Sequence, residues 1–268
     1  MYQLIDSGEG LKFEQFGPYS MIRPCPQAIW RKSHPEKWNN AGGEFSRENK
    51  GGWKMREKWP SSWTTTVGGV VFKIAPTDFG HLGVFPEHAK LWEDLRPFCK
   101  GANILNLFAY SGGATLAFAQ EDAKVCHLDA SKGMVDWARE NASLNQLQKA
   151  PIRWIVDDAV KFLRREEKRN VRYDGILLDP PTFGRGSKGE VFKIEEDLMV
   201  LLELCRSVLS DTPRFLVLSC HAPGVTPIGL KNVISQLFPN ARVEMGEMLL
   251  SSTGAMPIPS GSYIKVLL

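Results

Sequence analysis

The chain has 268 residues, 43% of them apolar and 24% charged, with a formal net charge of +3. That composition excludes the disordered and fibrous classes, and the length allows one large domain or two smaller ones with ample core. A charge so close to neutrality permits nucleic-acid binding without demanding it, because local clustering of cations decides the matter.

Five scattered cysteines (25, 99, 126, 205 and 220) contain no Cys-x-x-Cys. Their spacing argues against a disulfide framework or a zinc site and suits a reducing compartment. The N-terminus lacks a basic stretch followed by a long apolar one, and no apolar run approaches a membrane span. The expected setting is the cytoplasm, with no metal and no membrane partner.

Residues 1–80 read as a small β-rich extension, in which short β-prone pieces (Tyr19–Arg23, Val67–Ile74) are separated by Pro, Gly and Asn clusters. Trp30, Trp38, Trp53, Trp59 and Trp63 alternate there with Arg31, Lys32, Lys37, Arg47, Lys50, Lys54, Arg56 and Lys58. Two readings stay open: a basic platform on which bases stack, or a thin core filled by large aromatics with cations at its rim. Phe79–His88 reads as a hinge. Pro86 then suits the first turn of a helix whose Trp92, Leu95 and Phe98 recur at helical spacing. His81 and His88 have no third ligand at metal-binding spacing.

Residues 81–268 form the second expected domain, in which strands and helices alternate from 101 onward. The apolar run from Asn103 to Phe108 reads as a buried parallel strand, followed by the small-residue turn Ala109–Gly113 and a helix. Such a strand–turn–helix makes a cradle for a nucleotide cofactor. A second strand, Lys124–Leu128, leads to Asp129, which falls 23 residues past Asn106. That is close to the roughly 20-residue offset of an acid that binds ribose hydroxyls. Taken singly, Asp129 could equally be a helix cap or a solvated turn.

Ser131 caps a helix running to Asn145. A third strand, Ile152–Val156, ends in Asp157-Asp158, and the charged helix Ala159–Arg169 reads as a solvated face. The strand Tyr173–Leu178 ends in Asp179-Pro180-Pro181, followed by a Gly-rich basic loop, Phe183–Glu190. A helix over Ile194–Leu209, a strand over Arg214–Ser219 and a helix over Ile228–Phe238 follow. Strands Arg242–Leu249 and Ser262–Leu268 close the chain, and the short connection between them requires an antiparallel pair.

The ordered series Leu105–Gly113, Leu128-Asp129, Trp137–Ala142, Asp157–Leu163 and Leu178–Phe183 resembles the motifs of S-adenosylmethionine-dependent ribosomal RNA methyltransferases. It is most similar to the group that contains the large-subunit cytosine carbon-5 and guanine N-7 enzymes. The resemblance covers about Gly80 to Cys220. It implies a class I methyltransferase fold: an α/β, doubly wound, Rossmann-like sheet of seven strands with an antiparallel last strand.

The resemblance also assigns roles. The turn Phe108, Tyr110, Ser111, Gly112 and Gly113 would cradle the amino-acid end of S-adenosylmethionine, with Asn106 where related enzymes often place an acid. Asp129 would accept the ribose hydroxyls, and Asp158, or failing it Asp157, would address the adenine. Asp179 and the carbonyl of Pro180 would hold the target nitrogen, and Phe183 would stack on an extruded base. Arg185 and Lys188 would reach RNA phosphate unless the loop is an ordinary surface loop. Cys220 would either attack a cytosine ring or serve as a small apolar strand end.

The expected reaction is methylation of an RNA base, with ribosomal RNA as the expected substrate. A protein or small-molecule acceptor, a nicotinamide-dependent oxidoreductase and a non-catalytic RNA-binding assembly factor are the alternatives.

Overall fold

The computed structural model describes residues 1–47, 51–185, 189, 191–251 and 254–268. The chain divides into two compact units. One holds Met1–Ala89 and Leu249–Ser260, and the other holds Lys90–Met248 and Gly261–Leu268. The division therefore falls after Ala89 rather than at residue 80, and a segment near the C-terminus joins the first unit.

In the first unit, β1 (Tyr2–Gly8), β2 (Leu11–Phe16), β3 (Tyr19–Pro24), β4 (Gly43–Ser46) and β5 (Gly52–Met55) form a five-stranded sheet in sequence order. All neighbours are antiparallel except β3 and β4. A hairpin of β6 (Trp63–Val67) and β7 (Val70–Ile74) follows. Its turn, Gly68-Gly69, has φ of +53° and +76°, and the β1–β2 turn, Glu9-Gly10, has +56° and +76°. Two left-handed residues in succession match the twist of the strands they join. The single β piece expected over Val67–Ile74 is thus a glycine turn and one strand.

The second unit opens with α1 (Ala89–Leu95) and then alternates β8 (Asn103–Leu107), α2 (Gly113–Ala119), β9 (Lys124–Asp129), α3 (Lys132–Leu144), β10 (Ile152–Val156) and α4 (Ala159–Lys168). It continues with β11 (Gly175–Leu178), a small hairpin of β12 (Phe183–Arg185) and β13 (Val191–Lys193), α5 (Ile194–Ser207), β14 (Phe215–Cys220) and α6 (Pro227–Leu237). β15 (Arg242–Leu250) and β16 (Ile258–Leu267) complete its sheet, their Leu249–Leu250 and Ile258–Ser260 ends belonging to the first unit.

Seven of these strands form one sheet in the order β10-β9-β8-β11-β14-β16-β15. The first five are parallel, and β16 runs antiparallel to β14. This is the expected seven-stranded, doubly wound sheet. β11 and β14 are buried along their whole length, as central strands covered on both faces must be. Leu105, Leu107, Leu178, Leu216 and Leu218 pack there with Phe162, Leu201 and Ile234 from the helices.

Helix α4 departs from the solvated face expected of it. Ala159, Phe162, Leu163 and Glu166 are buried at helical spacing. The Glu166 carboxylate accepts from Arg153 Nη1 and from the Tyr173 hydroxyl, each at 2.7 Å. The charge is tolerated inside because both partners come with it. Among the described residues no helix is long and apolar enough to cross a membrane.

Candidate active site at the sheet's carboxyl edge

The order of strands reverses direction between β8 and β11, which puts the switch point of the sheet between their carboxyl ends. The strand from Asn103 stops at Leu107, one residue before the expected end, because Phe108 turns into the left-handed region at φ +55°. Tyr110 (+49°) and Gly112 (+93°) follow it there. Left-handed backbone at two aromatic residues costs energy and persists only where neighbours enforce it.

The neighbours are identifiable. Ala109 donates its N–H to the Leu128 carbonyl at 3.0 Å, and Asn141 Nδ2 donates to the Ser111 carbonyl at 2.9 Å. Tyr110 donates its N–H to Asp129 Oδ2 at 2.8 Å. A side chain at Gly113 would place its Cβ 2.3 Å from the Trp92 ring, so only glycine fits. Gly112, the N-cap of α2, makes no side-chain cap bond. Ala109, Tyr110 and Gly112 have their N–H groups engaged, so the donors suited to a carboxylate are those of the first turn of α2.

The acids at the strand tips differ in what they already hold. Asp129 accepts from Tyr110 through Oδ2 and from Ser131 N–H, at 2.9 Å, through Oδ1. Burial raises its carboxyl above the ordinary 3.8, against the lowering effect of those two bonds. Each oxygen keeps a second lone pair. Asp158 caps α4, its Oδ1 accepting from Lys161 N–H at 2.9 Å. Asp157 Oδ1 accepts from Asp158 N–H at 2.9 Å, and its Oδ2 is paired with Arg165.

Asn106 lies deeper than a cofactor-facing residue should. It is buried, and its Nδ2 donates to Thr115 Oγ1 at 2.9 Å. Thr115 Oγ1 is also 2.9 Å from His127 Nδ1. Burial pushes the His127 imidazole down to about 3, so it stays neutral. Asn106 therefore braces β8 against α2 and β9 and lies under the cradle.

Ser219, expected only as the end of a strand, and His221, which follows Cys220, gather round Asp179. Asp179 Oδ1 accepts from the Ser219 hydroxyl at 2.7 Å, and His221 Nε2 lies 3.6 Å from the same oxygen. The signal was present as Ser-Cys-His closing an apolar strand, but the register that sets β14 beside β11 was not. Pro180 is buried, whereas Phe183, on β12, is 53% exposed. Its hairpin partner β13 carries Phe192, whose ring centroid lies 5.7 Å from that of Phe108. The small hairpin is thereby seated on the turn that follows β8. Lys188 lies outside the described residues, and Arg185 is placed only as the end of β12.

Cys220 is 1% exposed and belongs to the main core cluster. Burial raises its thiol, and the Ala222 N–H, donating to Sγ at 3.4 Å, only partly offsets that. A nucleophilic thiolate needs the opposite shift. The four other cysteines are also free and buried.

A sheet of this order, with a left-handed turn after its first strand and acids at successive tips, defines a class I methyltransferase. A family profile described as S-adenosylmethionine-dependent methyltransferase matches residues 53–232, and the chain belongs to that family. Membership sets aside the nicotinamide-dependent oxidoreductase.

A solved S-adenosylmethionine-dependent methyltransferase from Agrobacterium tumefaciens is 37% identical, with a TM-score of 0.95 over 99% of this chain and 90% of that one. SMU.776, a methyltransferase structure in complex with SAH, shares the fold at 19% identity, with a TM-score of 0.82 over 100% of this chain and 75% of its own. "Ribosomal RNA large subunit methyltransferase K/L" of Pseudoalteromonas atlantica is 35% identical over 50% of this chain but only 19% of its own length. Its Pseudomonas paraeruginosa counterpart is 32% identical over 61% of this chain and 23% of its own length. The chain thus spans about a fifth of the curated relatives it matches.

Proposed function

We propose that this chain transfers a methyl group from S-adenosylmethionine to a base of ribosomal RNA, with a nitrogen as acceptor. The observation that carries the reading is Asp179, half-buried at the tip of β11, oriented by Ser219 and followed by two prolines and an exposed Phe183. A carboxylate and a proline carbonyl are acceptors, and an aromatic ring offers a stacking face. That set suits a base carrying N–H groups. The relatives named for large-subunit ribosomal RNA support the choice of acceptor.

The cradle fits the cofactor. The turn 108–113 and the uncapped start of α2 would hold its amino-acid end, and the spare lone pairs of Asp129 would accept the ribose hydroxyls. When bound, S-adenosylmethionine supplies an electrophilic methyl group. The protein's part is alignment. Asp179 and the Pro180 carbonyl orient the acceptor nitrogen, and Phe183 holds the base in plane for direct displacement. Cys220, buried and held as a thiol, takes no part. Such an enzyme would work in the cytoplasm, beside its RNA.

The test is incorporation of labelled methyl into ribosomal RNA from cells lacking the gene, followed by mass spectrometry of the nucleosides. A nitrogen-methylated base that is missing from the deletion strain and restored in vitro is the expected result. Methyl transfer to protein or small molecules alone would overturn the choice of RNA.

A further inference from the structure

The first unit carries a pocket that the reaction above does not use. It holds about 490 Å³ and is lined by Phe45, Ser46, Arg47, Asp78, Phe79 and His81, with Gly51 at its edge. The volume suits a nucleotide-sized ligand, since small-molecule sites begin at roughly 300 Å³.

Phe79 is 77% exposed, although the turn that carries it is tightly built. Thr77 N–H donates to the His81 carbonyl and Gly80 N–H to the Thr77 carbonyl, each at 3.0 Å. His81 N–H donates to Thr77 Oγ1 at 3.0 Å, and Trp53 Nε1 donates to the Thr77 carbonyl at 2.9 Å. Arg23 Nη1 reaches the Gly80 carbonyl at 3.0 Å. Gly80 has φ +79°, and a Cβ there would lie 2.5 Å from the Phe45 ring. The turn is thus clamped from several sides, and what it holds out is a bare aromatic ring.

Phe45, in the lining, begins a run of touching rings: Phe45–Trp53, Trp53–Trp59, Trp59–Trp63 and Tyr19–Trp63, with centroids 4.8 to 5.8 Å apart. Trp53, Trp59 and Trp63 donate their indole N–H groups to Thr77, Glu57 and Phe16. These tryptophans therefore serve as support, and Phe79 is the free stacking face. Burial, and then the cations Arg23, Arg47 and Lys12, lower the His81 imidazole from its ordinary value, which favours the neutral ring. Arg47, exposed at the rim, is the cation among the described lining residues, and Asp78 is the acid. Flat rings with a guanidinium at the rim match a base with its phosphate, the Asp78 carboxylate in the same lining being the group the phosphate must avoid.

We propose that this pocket takes one unpaired nucleotide of the RNA substrate, its base stacked on Phe79 and His81 and its phosphate on Arg47. The inference rests on the reading of RNA as acceptor and assigns the basic, aromatic first unit a specific binding task.

Fluorescence anisotropy of the full chain with a short fluorescein-labelled, unstructured RNA tests it. Phe79→Ala weakens binding about tenfold. Arg47→Ala lowers the slope of affinity against salt by about one. Ile29→Ala, an exposed apolar change elsewhere in the same unit, leaves affinity unaltered. A thermal melt confirms that each variant is folded.

Wild-type affinity in the Phe79→Ala protein overturns the pocket while leaving RNA methylation standing. An equal loss in the Ile29→Ala protein reduces the effect to general stickiness and also overturns it. A wild-type chain that binds no RNA and methylates none sinks both the pocket and the function it rests on.

Discussion

The saturated acids of the first unit contrast with the strand-tip acid Asp129 of the second, where Glu166 is saturated in the same way as those of the first. In the first, Glu14 is fully buried and accepts from Arg23 Nε at 2.8 Å and from the Tyr2 hydroxyl at 2.9 Å, with Lys12 at 3.2 Å. Asp6, also fully buried, accepts from the N–H groups of Ser7, Ser33 and His34 and from Trp38 Nε1. Burial alone would raise both carboxyls, yet their partners pull them below the ordinary range. In the second unit Asp129 holds two backbone donors and is raised instead. A saturated acid is a structural rivet. An acid left with acceptor capacity at a strand tip is where chemistry can enter.

The largest effect expected from this contrast is on stability. Glu14→Gln strands the Arg23 charge in the interior and lowers unfolding free energy by about 3–5 kcal/mol, measured as a shift in the urea midpoint. A change below about 1 kcal/mol, the scale of an exposed pair, would mean that Glu14 holds nothing together.

Asp179→Ala should leave the midpoint nearly unchanged and cut methyl turnover about 100-fold, the cost of losing alignment at the reacting centre. Intact turnover would show that the Asp179 loop is scaffolding.

Asp129→Asn weakens S-adenosylmethionine about tenfold, since a charged acceptor becomes a neutral one; calorimetry reads this directly. The two classes of acid also differ in pH dependence. The lowered acids, Asp6 and Glu14, stabilise the fold fully above the ordinary values of 3.8 and 4.5, and that stability is lost as pH falls through their depressed values. Asp129, being raised, costs stability above 3.8, and the cost is relieved as pH falls through its raised value. Asp129→Asn should accordingly stabilise the protein at neutral pH and have no such benefit in acid. Equal gain at both would break the contrast.

The smallest effect is at Cys220. Cys220→Ala keeps full turnover, because a buried thiol with a raised pKa is packing. Loss of activity in a folded variant would restore the covalent route.

How much of the site could be read in advance depended on how local its cause was. The left-handed turn after β8 was legible as Ser-Gly-Gly after an apolar run, but the early end of the strand at Phe108 was not, since Phe seldom adopts φ +55° unaided. Asp158 reads as a strand-end acid, yet its first commitment is to the α4 cap, which only the helix start reveals. Glu166 looked like one charge of a solvated run. Its burial depends on Arg153 and Tyr173, which lie on other elements.

By itself, the sequence determined the alternation of apolar strands and amphipathic helices, the reversed last pair and the acids that end successive strands. All of these follow from periodicity and short connections, and they suffice for the fold class. Only tertiary structure decided which acids are already spent on neighbours, that Ser219 stands against Asp179, and that Cys220 faces the core. Each of those is a contact between residues remote in the chain, where register and burial settle which atoms meet.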